Sequence, residues 1–158
     1  MNGLGLRPGC AGPKAVLPRP RTPEVLGYDR FMPVRLNHTL VAAADSARSA
    51  AFVADLLGLG PPRPFGSFQV VEVANGVSLD YLGTTGQIEP QHYAFLVSDD
   101  EFDEIFARIR ERGMDWWADP MKHRKGEINH NDGGRGCYFN DLDGHFLEII
   151  TVPYGGWD

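Results

Sequence analysis

Two histidines and two carboxylates recur at matched places in this 158-residue chain. His38 lies seven residues before Asp45, and His92 lies seven before Asp99. Each aspartate opens an apolar-periodic segment. Asp80 in Val-Ser-Leu-Asp-Tyr-Leu and Glu148 in Phe-Leu-Glu-Ile-Ile each fall in the last extended run of their half. Two imidazoles and a carboxylate form the facial set that holds Fe(II) with positions left open. Zinc, manganese, cobalt or nickel accept the same donors. Glu148 is flanked by Phe146, Leu147, Ile149 and Ile150. A carboxylate buried there is costly unless it is paired, protonated or bound to metal.

Such convergence needs elements that bring distant segments together. Val34–Ala43 is β-branched and apolar without breakers and reads as a strand. Asp45 caps a helix ending at Gly58, with Phe52, Leu56 and Leu57 on one face. After the Pro61–Pro64 loop come strands at 67–74 and 77–83, joined at Asn75-Gly76, a tight-hairpin signal. The pattern then restarts. Gln91–Val97 is a strand, and Ser98 with Glu101 forms a capping box. Phe102, Ile105, Phe106 and Ile109 line one face of the helix that follows, which Gly113 ends. Strands follow at Trp116-Trp117, 136–140 and 145–152, the last two joined by the turn Asp141-Leu-Asp-Gly144. The class is therefore α+β: two βαβββ modules, about 34–85 and 90–153, at an offset of about 54 residues. First strands side by side would aim both imidazoles at one spot.

Composition bounds the partners. With 15 Lys and Arg against 21 Asp and Glu, the net charge is −6, which a nucleic-acid backbone would repel. No apolar run approaches the ~18 residues of a membrane span. Two cysteines, Cys10 and Cys137, build neither a disulfide framework nor a thiolate zinc site, and fit a reducing, cytoplasmic setting. Residues 1–33 are rich in Pro, Gly and Arg, lack hydrophobic period and a signal-peptide core, and read as a flexible extension. Met32 directly precedes the patterned region, so the extension reads as the product of an upstream start. Residues 154–158 read as a short tail.

Asn37-His38-Thr39, Gln91-His92-Tyr-Ala-Phe-Leu-Val and Gly134-Arg-Gly-Cys-Tyr-Phe-Asn-Asp-Leu-Asp-Gly-His-Phe-Leu-Glu148 resemble the vicinal oxygen chelate superfamily. That superfamily includes glyoxalase I, extradiol dioxygenases, fosfomycin-resistance proteins and bleomycin-binding proteins. The resemblance covers residues 34–153 or so. It implies paired modules whose sheets curl around a divalent metal ion held by His38, His92 and Glu148. Asp80 falls where glyoxalases place a fourth, usually longer, ligand. The extradiol branch is similar at Ile128-Asn-His130, Tyr138, Asp141, Gly144 and Glu148. Cys137 stands there for an aliphatic residue and Leu142 for a proline. That likeness implies Fe2+, with His130 as general acid–base and Tyr138 on a substrate oxygen. A homodimer is also implied by the resemblance.

The leading expectation is a metal-dependent, dioxygenase-like oxidoreductase acting on a small substrate with neighbouring oxygens, such as a catechol. The alternatives are a glyoxalase-like lyase or isomerase on zinc or nickel, and a drug-binding resistance protein of the bleomycin type without catalysis. Thiol transfer to an antibiotic epoxide would need a monovalent-cation loop and basic phosphonate contacts, which are not identifiable. His145, after Asp-Gly in a turn, reads as structural, and Cys137 as a buried filler. His123, with Lys122, Arg124 and Lys125, reads as a solvated loop charge, of a kind that could also clamp an anion. Trp116 and Trp117 read as covers of the core or of a dimer contact.

Overall fold

A computed structural model describes residues 34–154. The extension at 1–33, including Met32, and residues 155–158 of the tail lie outside the described residues. The elements run β1 (His38–Ala43), α1 (Ser46–Leu57), β2 (Arg63–Phe65), β3 (Phe68–Glu72) and β4 (Ser78–Gly83). A second series follows: β5 (His92–Leu96), α2 (Asp99–Glu111), β6 (Trp116–Trp117), β7 (Gly136–Asn140) and β8 (Phe146–Ile150). Two four-stranded sheets result, ordered β1-β4-β3-β2 and β5-β8-β7-β6. In each, the first strand pairs in parallel with the last, and the other pairs are antiparallel. These are the two βαβββ modules of the α+β reading.

The caps form as their chemistry dictates. Asp45 accepts the Arg48 N–H at 3.0 Å, and Gly58 closes α1 in the left-handed region at φ 72°. Ser98 and Glu101 exchange side-chain and backbone bonds at the start of α2. Both sheets turn one face to their helix. Val41, Ala43, Val71, Leu79 and Tyr81 pack with Ala50, Val53, Ala54 and Leu56. Cys137, Phe139, Leu147 and Ile149 pack with Phe102, Ile105 and Ile109. One continuous core spans both modules, and each large apolar side chain buried there contributes about 1.5–3 kcal/mol.

Several boundaries differ from the sequence reading. Val34–Asn37 is not strand, and Val34 is exposed. Arg63–Phe65, read as loop, is a strand; Pro64 is tolerated because β2 is a sheet edge. The Asn75-Gly76 hairpin is a three-residue loop closed by Val73 and Val77, with Gly76 at φ 78°. Phe52 and Leu57 are only half-buried; the buried face of α1 runs through Ser49, Ala50, Val53, Ala54 and Leu56.

The turn between β7 and β8 ties the modules. Asp141 Oδ1 accepts the N–H groups of Asp143 and His145. Asp143 accepts the Ala44 N–H at 2.8 Å and the Ser49 hydroxyl. His145 is wholly buried. Its Nδ1 accepts the Gln91 N–H at 3.0 Å, which leaves the proton on Nε2 to donate to Ala42 O at 2.8 Å. Its structural role is thereby explained.

Candidate metal centre

Strand parity decides which side chains share a surface. His92 lies opposite Phe146, Tyr138 opposite Glu148, Asn140 opposite Phe146 and Trp117 opposite Tyr138. These six therefore occupy the face of the second sheet turned away from α2. On the first sheet, His38, Leu40, Ser78, Asp80 and Val70 share the corresponding open face.

On the second sheet, His92 and Glu148 meet. The Nδ1 of His92 lies 2.9 Å from Phe146 O; a carbonyl only accepts, so Nδ1 carries a proton, and in the neutral ring Nε2 presents its lone pair. Nε2 lies 3.3 Å from Oε2 of Glu148, a residue with no exposed surface. That buried oxygen has no hydrogen-bond partner among the described residues. With the imidazole neutral, as a metal ligand must be, two electron-rich atoms lie 3.3 Å apart. A cation suits that arrangement, because neighbouring donors with metal bonds of about 2.0–2.2 Å lie roughly 3 Å apart. The second shell also fits: a ligating imidazole ordinarily donates its other N–H to a carbonyl or carboxylate.

Glu148 is steadied from its other oxygen. Tyr154 donates to Oε1, so the 2.8 Å bond between the Tyr138 and Tyr154 hydroxyls runs from Tyr138 to Tyr154. The Tyr138 hydroxyl, expected on a substrate oxygen, donates here to Tyr154, which in turn holds the carboxylate. Burial, then these bonds and the adjacent carboxylate, push the Tyr138 phenol well above its usual range. Tyr138 also stacks near His92, with ring centroids 6.0 Å apart. Tyr154 was missed by sequence reasoning because it was assigned to the tail. Its only sequence signal is an aromatic residue just beyond the last strand.

His38 and Asp80 lie elsewhere in the single chain. They line a pocket with Leu40, Phe65, Phe68 and Val70, without His92 or Glu148. Among the described residues no group of three or more His, Cys, Asp or Glu side chains converges within one chain. His38, His92 and Glu148 therefore do not converge as a set of three within one chain. Yet His38 is prepared like His92: its Nδ1 bonds Asn37 Oδ1 at 2.8 Å, and its Nε2 makes no hydrogen bond among the described residues. Asp80 accepts from the Ser78 hydroxyl at 2.8 Å. His130 is exposed, just before the short helical turn Asn131–Gly133, with no side-chain hydrogen bond among the described residues. Cys137 is buried, and desolvation, with the nearby Glu148 charge, pushes its thiol up to about 12, which makes it a filler and not a nucleophile.

Comparison with known proteins bears on this geometry. The family model described as Glyoxalase/Bleomycin resistance protein/Dioxygenase superfamily matches residues 35–149. The chain is 31% identical over 120 residues to the glutathione transferase FosA of Serratia marcescens, covering 72% of this chain and 78% of that protein. It superposes on the structure of the oxidase ChaP-H1 with a TM-score of 0.77 and 65% identity, covering 78% of this chain and 100% of that one. The fosfomycin resistance protein FosX from Mesorhizobium loti shares the fold at a TM-score of 0.59 and 19% identity, over 78% of this chain and 96% of that one.

Proposed function

The chain belongs to the glyoxalase/bleomycin resistance protein/dioxygenase superfamily, and from that premise we propose that it is a metal-dependent oxidase of the dioxygenase type. Its substrate is a small molecule with two neighbouring oxygens, a catechol being the simplest example. The observation that carries the metal is the close approach of His92 Nε2 to the unpartnered Glu148 Oε2. The 65% identity to a protein named an oxidase, across that chain's full length, supports the oxidative chemistry.

His92 and Glu148 hold the ion, and His38 of a second copy supplies the third donor. Two observations support a shared site in a homodimer: His38 lies apart from the other two within one chain, and its sheet has an open apolar face. Leu40 there is 50% exposed and Phe65 71% exposed. Asp80 is the candidate fourth donor beside His38. A bound divalent metal, Fe(II) foremost for two imidazoles and a carboxylate, supplies Lewis acidity and a redox couple. The protein's own groups do the rest. Tyr138 and Tyr154 fix the Glu148 carboxylate, and the rings of Phe146 and Trp117 exclude water from the face. His130, exposed to solvent, is the general acid–base that moves the proton.

The likeness to FosA favours a second reading, metal-assisted addition of a thiol to an electrophile. Metal analysis of protein purified without chelators, followed by oxygen-electrode and glutathione-consumption assays, separates the two. Iron with oxygen uptake on catechols is the predicted result. Glutathione consumption without oxygen uptake supports the second reading. Zinc or nickel with aldehyde–thiol turnover would return the chemistry to a glyoxalase-like lyase. A metal-free protein overturns the proposal.

A further inference from the structure

The loop between β6 and β7 carries four basic or imidazole side chains in a row, and three of them have acidic partners. Lys125 pairs with Asp115 at 2.7 Å, while Arg124 and His123 lie within 4.0 Å of Asp119. Lys122 has no such partner among the described residues. Its backbone is also unusual. At φ 60° it is one of two described non-glycine residues in the left-handed region, the other being Asp132. Asp119 holds it there. One oxygen of that carboxylate accepts the N–H groups of Met121 and His123, the other accepts that of Arg124, and Lys122 N–H donates to Asp119 O at 3.1 Å. Strain held so firmly calls for a use.

The side chain shows where that use lies. Lys122 Nζ sits 4.8 Å from the Trp117 ring centroid and 4.6 Å from that of Phe146, and it donates to Asn140 Oδ1 at 2.8 Å. All three partners lie on the open face that carries His92 and Glu148. The Phe146 ring centroid is itself 6.0 Å from that of His92 and 5.3 Å from that of Tyr138. Two aromatic faces and an amide oxygen position an ammonium without neutralising it. One donor is used, and the exposed head keeps the others for a ligand.

We infer that Lys122 is a substrate-binding residue, taking an anionic oxygen, a carboxylate or an ionised phenol, at the end of the substrate remote from the metal ligands. The inference rests on the proposed function for the identity of that site and narrows its substrates to acidic, flat molecules. A charge-assisted hydrogen bond of this kind changes affinity by roughly tenfold or more.

The test is calorimetric titration of the full chain, metal-loaded and metal-free, with 3,4-dihydroxybenzoate, its methyl ester and benzoate. The wild type is predicted to bind the acid roughly tenfold tighter than the ester, a preference that shrinks as salt rises. Lys122→Met keeps the aliphatic stem over the rings and removes the charge. It should equalise acid and ester while leaving ester affinity and metal content unchanged. Lys122→Arg should keep most of the preference. Thermal melting of each variant checks folding. An acid preference that survives Lys122→Met, or a wild type that shows neither an acid preference nor catechol binding that strengthens with pH, overturns the inference. A phenolate in place of a carboxylate shows as catechol binding that strengthens with pH and loses that gain in Lys122→Met. Benzoate in the metal-free chain reads the clamp alone, so failure to retain metal would sink the proposed function without masking this result.

Discussion

Asp80 and Glu148 occupy the same register position in the two sheets. Asp80 lies opposite Leu40, two residues beyond His38, and Glu148 lies opposite Ala94, two residues beyond His92. Each module therefore carries one histidine and one carboxylate on its open face, as a repeated half-site. The copies have diverged. Glu148 is one methylene longer and wholly buried, whereas Asp80 is half-buried and accepts from Ser78.

That divergence sets unequal consequences for the two carboxylates. Glu148→Gln keeps the volume but removes the charge facing His92 Nε2, and should abolish stoichiometric metal retention. Asp80→Asn should reduce it by less. Metal content after gel filtration, measured by atomic emission, ranks them; equal losses would make Asp80 a full ligand.

Tyr154 is predicted to act through Glu148. Tyr154→Phe removes the donor to Oε1 and frees the Tyr138 hydroxyl. Loss of such an outer-shell partner typically weakens metal affinity 10–100-fold. Competition against a chelator of known affinity should show that weakening with a melting temperature close to wild type. Unchanged affinity would reduce Tyr154 to a surface residue.

His145 joins the modules from a fully buried position. His145→Ala leaves the Gln91 N–H and Ala42 O without their partner and opens a cavity, at a cost of about 2–4 kcal/mol. Urea unfolding should show the midpoint falling with little change in slope. A loss under about 0.5 kcal/mol would mean the link is dispensable.

The loop that presents Lys122 should loosen in acid. Burial alone raises the Asp119 carboxyl, but the N–H donors of Arg124, His123 and Met121 and the nearby His123 charge outweigh it and hold it below the usual carboxylate range. A depressed carboxyl contributes stability that is complete above its unfolded value and is lost as pH falls through the folded one. Amide-exchange protection of Met121, His123 and Arg124 should therefore persist from neutral pH to about 5 and fade progressively below about 4. Asp119→Asn should lack that acid transition; its persistence would assign the loop's order to other contacts.

Much of this architecture was legible in the residues themselves. Asp45, Ser98 with Glu101, Gly58 and Gly113 mark helix ends by local hydrogen bonding and backbone freedom, which do not depend on distant partners. The repeat was legible for the same reason, since both copies use the same local signals. β2 was not, because Pro64 reads as a breaker unless its place on a sheet edge is known. At the site, His92 and Glu148 come together through strand pairing. The separation of His38 from them depends on how the modules pack, which periodicity does not encode. Tyr154 escaped because its partner is set by the chain folding back beyond β8. Lys122 reads as one more solvated cation in the sequence; in the fold its neighbours pair with Asp115 and Asp119, while Lys122 has no acidic partner among the described residues.

The most direct test of the shared metal centre uses two inactive variants together. His38→Ala and His92→Ala chains, each carrying a different tag, are purified separately as homodimers, and in parallel the two are co-expressed and the mixed dimer is selected through both tags. Each homodimer is predicted to hold no metal, while the mixed dimer regains one ion, because one site then draws His38 from one chain and His92 with Glu148 from the other. A mixed dimer that stays empty, or either homodimer that retains its metal in full, would contradict the account.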